Sequence, residues 1–194
     1  MTGTLDRRAA MATLMQGRDD DLLVVPGLGS TTWDLAAAGD NDRNFYLWGA
    51  MGGAAMIGLG LALAQPKKRV AVITGDGEML MGMGALATIG LQRPANLAVI
   101  VFDNGVYGET GGQPSHTGAG GVDLVAVARC CGFSTCLEVA DLADLADLAA
   151  RLPRLDGLLF ARVAIGPEEP PRVLPERDGA VLKRRFRAAL GLAP

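Results

Sequence analysis

The stretch RVAVITGDGEMLMGMGALATIGLQRPANLAVIVFDNGVYGETGGQP, residues 69–114, decides the fold. It opens on a continuous apolar run, RVAVIT (69–74), and stops at Gly75-Asp76-Gly77. A pattern of helical period follows over 78–91, then a second apolar run, LAVIVF (97–102), which stops at Asp103-Asn104. Short apolar runs that do not alternate with polar residues suit strands covered on both faces. Two such strands joined by a helix form a right-handed crossover, the unit of a parallel sheet.

The same alternation extends outward. Further β-type runs lie at 22–26, 133–139 and 158–165, and helical patterns at 50–64, 121–131 and 141–152. A short run, NFYLW (44–48), adds a sixth strand. The expected fold is α/β: a doubly wound, mostly parallel six-stranded sheet with helices on both faces. It occupies residues 1–165. Residues 166–194 form a Pro- and charge-rich C-terminal tail, with a short basic helix in AVLKRRFRAAL.

Composition narrows the function. At 194 residues the chain makes one domain with a sizeable core. A net charge of -3 argues against a broad nucleic-acid surface. The uncharged segment 45–64 has the length of a membrane span, but it sits inside a strand-helix alternation and reads as a buried helix. The N-terminus lacks the apolar core of an export signal, so a cytoplasmic location is expected. Three cysteines, Cys130, Cys131 and Cys136, read as buried small hydrophobes in a reducing compartment.

In an open parallel sheet, ligands sit at the carboxyl ends of the strands. Asp76 and Asn104 each follow a strand, and adjacent strands lie about 4.8 Å apart. A carboxylate and an amide oxygen there suit Mg²⁺ when phosphate oxygens complete its octahedron. Gly75 and Gly77 permit close backbone approach, and a helix starting just after them offers free N–H groups to a phosphate.

Gly-Asp-Gly, about 25 residues, then Asp-Asn resembles the motif of the thiamine-diphosphate enzymes, in their pyrophosphate-binding domain. Within them, the blocks YLWGAMGGAAMIGLGLALA, GDGEMLMGMGALATIG and FDNGVYGETGGQPSHT are similar to sulfopyruvate and phosphonopyruvate decarboxylases. The resemblance implies that Asp76, the Asn104 side chain and the Val106 carbonyl bind Mg²⁺. Gly75, Gly77 and Glu78 approach the diphosphate, as do Ser30, Thr31 and Thr32, while Tyr107 packs beside the metal loop. The Gly49 carbonyl accepts a bond from the cofactor's amino group, and Met51 wedges beneath the bent cofactor. The implied reaction is decarboxylation of a small 2-oxo acid. The catalytic glutamate is expected on a separate pyrimidine-binding subunit, in a hetero-oligomer with two or more copies of each chain.

Some features leave readings open. His116, the one histidine, either delivers a proton or contacts an acidic substrate, or is a loop histidine bonded to backbone or solvent; Gln113 either meets substrate or does not. The related subunits carry an Arg-Glu pair after the first strand, where this chain has Trp33-Asp34. Lys67, Lys68 and Arg69 belong to the sheet's opposite end, so no cation is expected beside the cofactor. A two-subunit thiamine-diphosphate carboligase or oxidoreductase is the main alternative. A nicotinamide site is a remote one, because Thr32 stands where the third glycine of its fingerprint belongs.

Overall fold

A computed structural model describes residues 5–193. The central sheet has five parallel strands: β1 (Leu22–Pro26), β2 (Arg69–Gly75), β3 (Leu97–Asp103), β6 (Thr135–Val139) and β7 (Leu159–Ala164), in the order β1-β2-β3-β7-β6. A separate antiparallel ribbon joins β4 (Val106–Tyr107) to β5 (Gln113–Pro114). Alternate residues of the central strands enter opposite cores. Ala71, Ile73, Ala98 and Ile100 pack on the side of α1 (Arg7–Met15), α2 (Ser30–Ala37) and α7 (Leu142–Arg151). Val70, Val72, Leu97 and Val99 pack with α3 (Ala54–Ala64), α4 (Asp76–Met81), α5 (Gly84–Gln92) and α6 (Leu124–Cys130). The sheet is therefore doubly wound, as the continuous apolar runs imply.

The expected sixth strand at 44–48 is corrected to a single bridge, Asn44 to Val24. Val24 N–H donates to the Arg43 carbonyl and Phe45 N–H to the Val24 carbonyl. The next rung would need an N–H from Pro26, which has none, so the ladder stops. The helix expected over 78–91 begins at Asp76 and is broken into α4 and α5 at Gly82 and Met83; Gly82 lies so close to the Gly52 carbonyl that a Cβ there would overlap it. The helix expected from residue 50 begins at Ala54, after left-handed Ala50 (φ 61°) and Gly52 (φ 85°). Among the described residues, no helix is long and apolar enough to cross a membrane.

The cysteines are not buried as expected. Cys130 is exposed, and Cys131 and Cys136 are half-buried, because they lie at the end of α6 and on edge strand β6. Helix α1, unanticipated from sequence, is capped by the Asp6 carboxylate accepting from Ala9 N–H at 2.7 Å. In the tail, α8 (Gly179–Ala189) folds back onto the body, with Leu182 and Phe186 buried and the Phe186 ring 5.2 Å from Phe45.

Candidate functional site

β2 and β3 pair in register from Val70–Leu97 to Gly75–Phe102, so their carboxyl ends finish side by side. Asp76 and Asn104 lie just beyond, and both line one cavity of about 630 Å³. That volume falls within the range of small-molecule sites. The cavity also takes in Gly75, Gly77, Glu78, Val106 and Tyr107 from the strand ends, Ser30 from α2, and Met51. Pro167 and residues 169–172 of the tail close one side.

Asp76 is 3% exposed. Burial, then neighbouring Asp103, pushes its carboxyl up to about 6, against hydrogen bonds from Ser115 and Thr117 that pull it down. The Thr117 hydroxyl lies 3.2 Å from Asp76 Oδ2 and 2.8 Å from Asp103 Oδ1, and its single proton serves one of them at a time. Asp103 has other partners: the Gly105 N–H at 2.9 Å and the Arg162 guanidinium. Asp76 is thus a buried carboxylate short of positive charge, the condition a cation relieves.

The neighbouring oxygens fit such an ion. Asn104 Oδ1 accepts from Val106 N–H at 3.1 Å, which leaves it a second lone pair. Ser115 N–H donates to the Gly105 carbonyl at 2.8 Å, so Val106 and Pro114 form a non-hydrogen-bonded pair and the Val106 carbonyl points away from the ribbon strand. Among the described residues no three His, Cys, Asp or Glu side chains gather to hold a metal. An ion here therefore needs amide, carbonyl and ligand oxygens, which suits Mg²⁺ with a diphosphate.

The remaining expected site residues divide. Ser30 begins α2 with no side-chain cap, leaving its first N–H groups free for an anion. Thr31 and Thr32 are buried and turn away, their hydroxyls donating to the Gly27 carbonyl at 3.1 and 2.7 Å. Glu78 borders the cavity, but each of its oxygens accepts a backbone N–H, from Leu28 and from Gly52. Gly49 is exposed beside the lining, and Met51 projects from the turn at 45% exposure. His116 is exposed and outside the lining, its Nδ1 3.2 Å from the hydroxyl of Tyr107, which does line it. Gln113 is exposed on the ribbon, whose tight turn uses Gly111 and Gly112 at positive φ.

The expectation of no cation nearby is overturned. Lys68 and Arg69 do lie at the amino ends of the strands, paired with Asp21 and Asp19. Arg7 and Arg172, however, both border the cavity. Arg7 is buried and donates to Asp34 at 2.7 Å and to the Glu168 carbonyl at 3.2 Å. Arg172 stacks on Trp33, 4.2 Å from the ring centre, and pairs with Glu109 at 3.3 Å. Both arginines come from segments outside the motifs, α1 and the tail, so no local pattern marks them.

Residues 29–162 match the family described as thiamine pyrophosphate enzyme, C-terminal TPP binding domain. The chain is 40% identical over 193 residues to phosphonopyruvate decarboxylase of Streptomyces viridochromogenes, covering 97% of this chain and 47% of that one. It is 38% identical over 167 residues to the sulfopyruvate decarboxylase subunit beta of Methanothermobacter thermautotrophicus, covering 86% of each. The chain thus spans about half the length of the first relative and most of the second. In fold it is similar to benzoylformate decarboxylase from Polynucleobacter necessarius, with a TM-score of 0.70 at 19% identity, covering 87% of this chain and 34% of that one.

Proposed function

The chain belongs to the thiamine pyrophosphate enzymes, through their C-terminal TPP binding domain, and from that premise we propose that it supplies the diphosphate and Mg²⁺ half of a 2-oxo acid decarboxylase. The observation that carries the reading is the convergence of Asp76 and Asn104 on one cavity at adjacent strand ends. Asp76, Asn104 and the Val106 carbonyl hold the ion. Ser30 and the start of α2 take the diphosphate. Met51 supports the cofactor from its turn, and the Gly49 carbonyl accepts from its amino group. Bound thiamine diphosphate supplies the electron sink that lets a 2-oxo acid lose carbon dioxide. Tyr107 links the cavity to His116, so a proton held on the imidazole reaches the site through the hydroxyl.

The glutamate that activates the cofactor comes from a pyrimidine-binding subunit, in a hetero-oligomer with two or more copies of each chain. The relative named as a beta subunit supports this division. Trp48, Met51 and Met81 are exposed apolar side chains around the cavity side, and they are suited to burial against that partner. The test is isolation of the native complex, followed by a carbon dioxide release assay across 2-oxo acids with Mg²⁺ and thiamine diphosphate. Release without an added acceptor or oxidant is expected. Dependence on an acceptor aldehyde or an electron carrier would instead identify a carboligase or an oxidoreductase.

A further inference from the structure

Glu78 is the one buried carboxylate at the site that serves neither the ion nor a salt bridge. It is 5% exposed, and among the described residues no cation pairs with it. Its Oε2 accepts from Leu28 N–H at 2.8 Å, in the loop between β1 and α2. Its Oε1 accepts from Gly52 N–H at 3.3 Å, in the turn that carries Met51. These loops form two walls of the cavity, and their donors stand 26 and 50 residues earlier in the chain than Glu78. Only a carboxylate offers an acceptor to both donors at once.

The surroundings are shaped for this contact. A Cβ at Gly27 would overlap Glu78 Oε2, and a Cβ at Gly82 would overlap the Gly52 carbonyl. The buried hydroxyl of Thr74, without a hydrogen-bond partner, faces the same space beside Gly27. The turn itself is strained: Ala50 sits in the left-handed region, where a Cβ crowds the following carbonyl oxygen. Such a conformation persists where surrounding structure holds it.

We propose that Glu78 is a positioning residue, a carboxylate clasp that fixes the Met51 turn and the β1–α2 loop to the start of α4 and so sets the spacing between the cavity walls. Its effect on the cofactor rests on the function proposed above; the clasp itself does not. Amide hydrogen exchange on the full chain tests it without cofactor. In Glu78→Gln, an NH₂ group meets one of the two backbone donors, and exchange at Leu28 or Gly52 should quicken by about tenfold or more. Exchange in β2 and β3 should stay at its original rate. If Glu78→Gln fails to fold, Gly27→Ala displaces the same carboxylate and should give the same local pattern. Unchanged exchange at both amides, or equal loosening across the sheet, overturns the clasp. In the assembled complex, Glu78→Gln should also raise the apparent dissociation constant for thiamine diphosphate with Mg²⁺ by about tenfold. Failure of the unaltered complex to bind that cofactor would strike the proposed function, while the exchange measurement would still decide the clasp.

Discussion

The two ends of the sheet are built to opposite rules. At the amino ends of β1 and β2, charges meet in solvent: Lys68 with Asp21, Arg69 with Asp19, Arg43 with Asp20. At the carboxyl ends, Asp76 is buried and short of partners, Ala50 is left-handed, and glycines bring backbone against backbone. The first end obeys ordinary surface chemistry. The second departs from it in ways a bound cation and anion would offset. A ligand site is legible as the place where a fold tolerates unsatisfied charge.

The largest test of that contrast is Asp76→Ala. Calorimetry with Mg²⁺ and thiamine diphosphate should show affinity lower by at least about a hundredfold, the equivalent of ~3 kcal/mol. The next compares one substitution in two regions. In Gly90→Ala the new methyl meets the Cys131 carbonyl between two packed helices, and urea unfolding should register about 1–3 kcal/mol lost, with cofactor affinity unchanged. In Gly82→Ala the methyl meets the exposed Met51 turn, which gives way, so affinity should suffer more than stability.

A third effect is one of sign. The Asp76 carboxyl is raised from 3.8 to about 6, so between those values the folded chain keeps a proton that the unfolded chain has released. Its contribution to stability is therefore lost as pH rises through that window. Asp76→Asn should stabilise the unliganded chain at pH 7, by on the order of 1–3 kcal/mol, and make no difference near pH 3. Mg²⁺ affinity should move oppositely, weakening about tenfold from pH 7 to pH 5 as the ligand protonates. Denaturation and calorimetry across that range measure both. The smallest effect is expected at an ordinary surface pair: Arg151→Ala, which removes the bond to Asp147 on α7, should change stability by about 0.3–0.5 kcal/mol and leave the site unaffected.

What sequence made legible follows the range of the forces involved. The strands and the placement of Asp76 and Asn104 at their ends came from local apolar runs and the punctuation after them. The sixth strand failed because one missing N–H, at Pro26, ends a ladder that residues 44–48 otherwise favour. The continuous helix is interrupted at Gly82, whose close contact is with Gly52, thirty residues earlier in the chain, and no local pattern marks that contact. Arg7, Arg172 and Thr117 escaped notice because their places depend on how α1, the tail and the ribbon loop dock. Glu78 was expected at the diphosphate; its neighbours in sequence gave no sign that two distant backbone donors would take both of its oxygens.

A single Mg²⁺ ion is the expected centre of the site. A crystal structure of the native complex with Mg²⁺ and thiamine diphosphate should place the metal about 2.1 Å from an Asp76 carboxylate oxygen, Asn104 Oδ1 and the Val106 carbonyl together. An ion bound elsewhere, or Asp76 and Asn104 turned to separate partners with the cofactor in place, would contradict it.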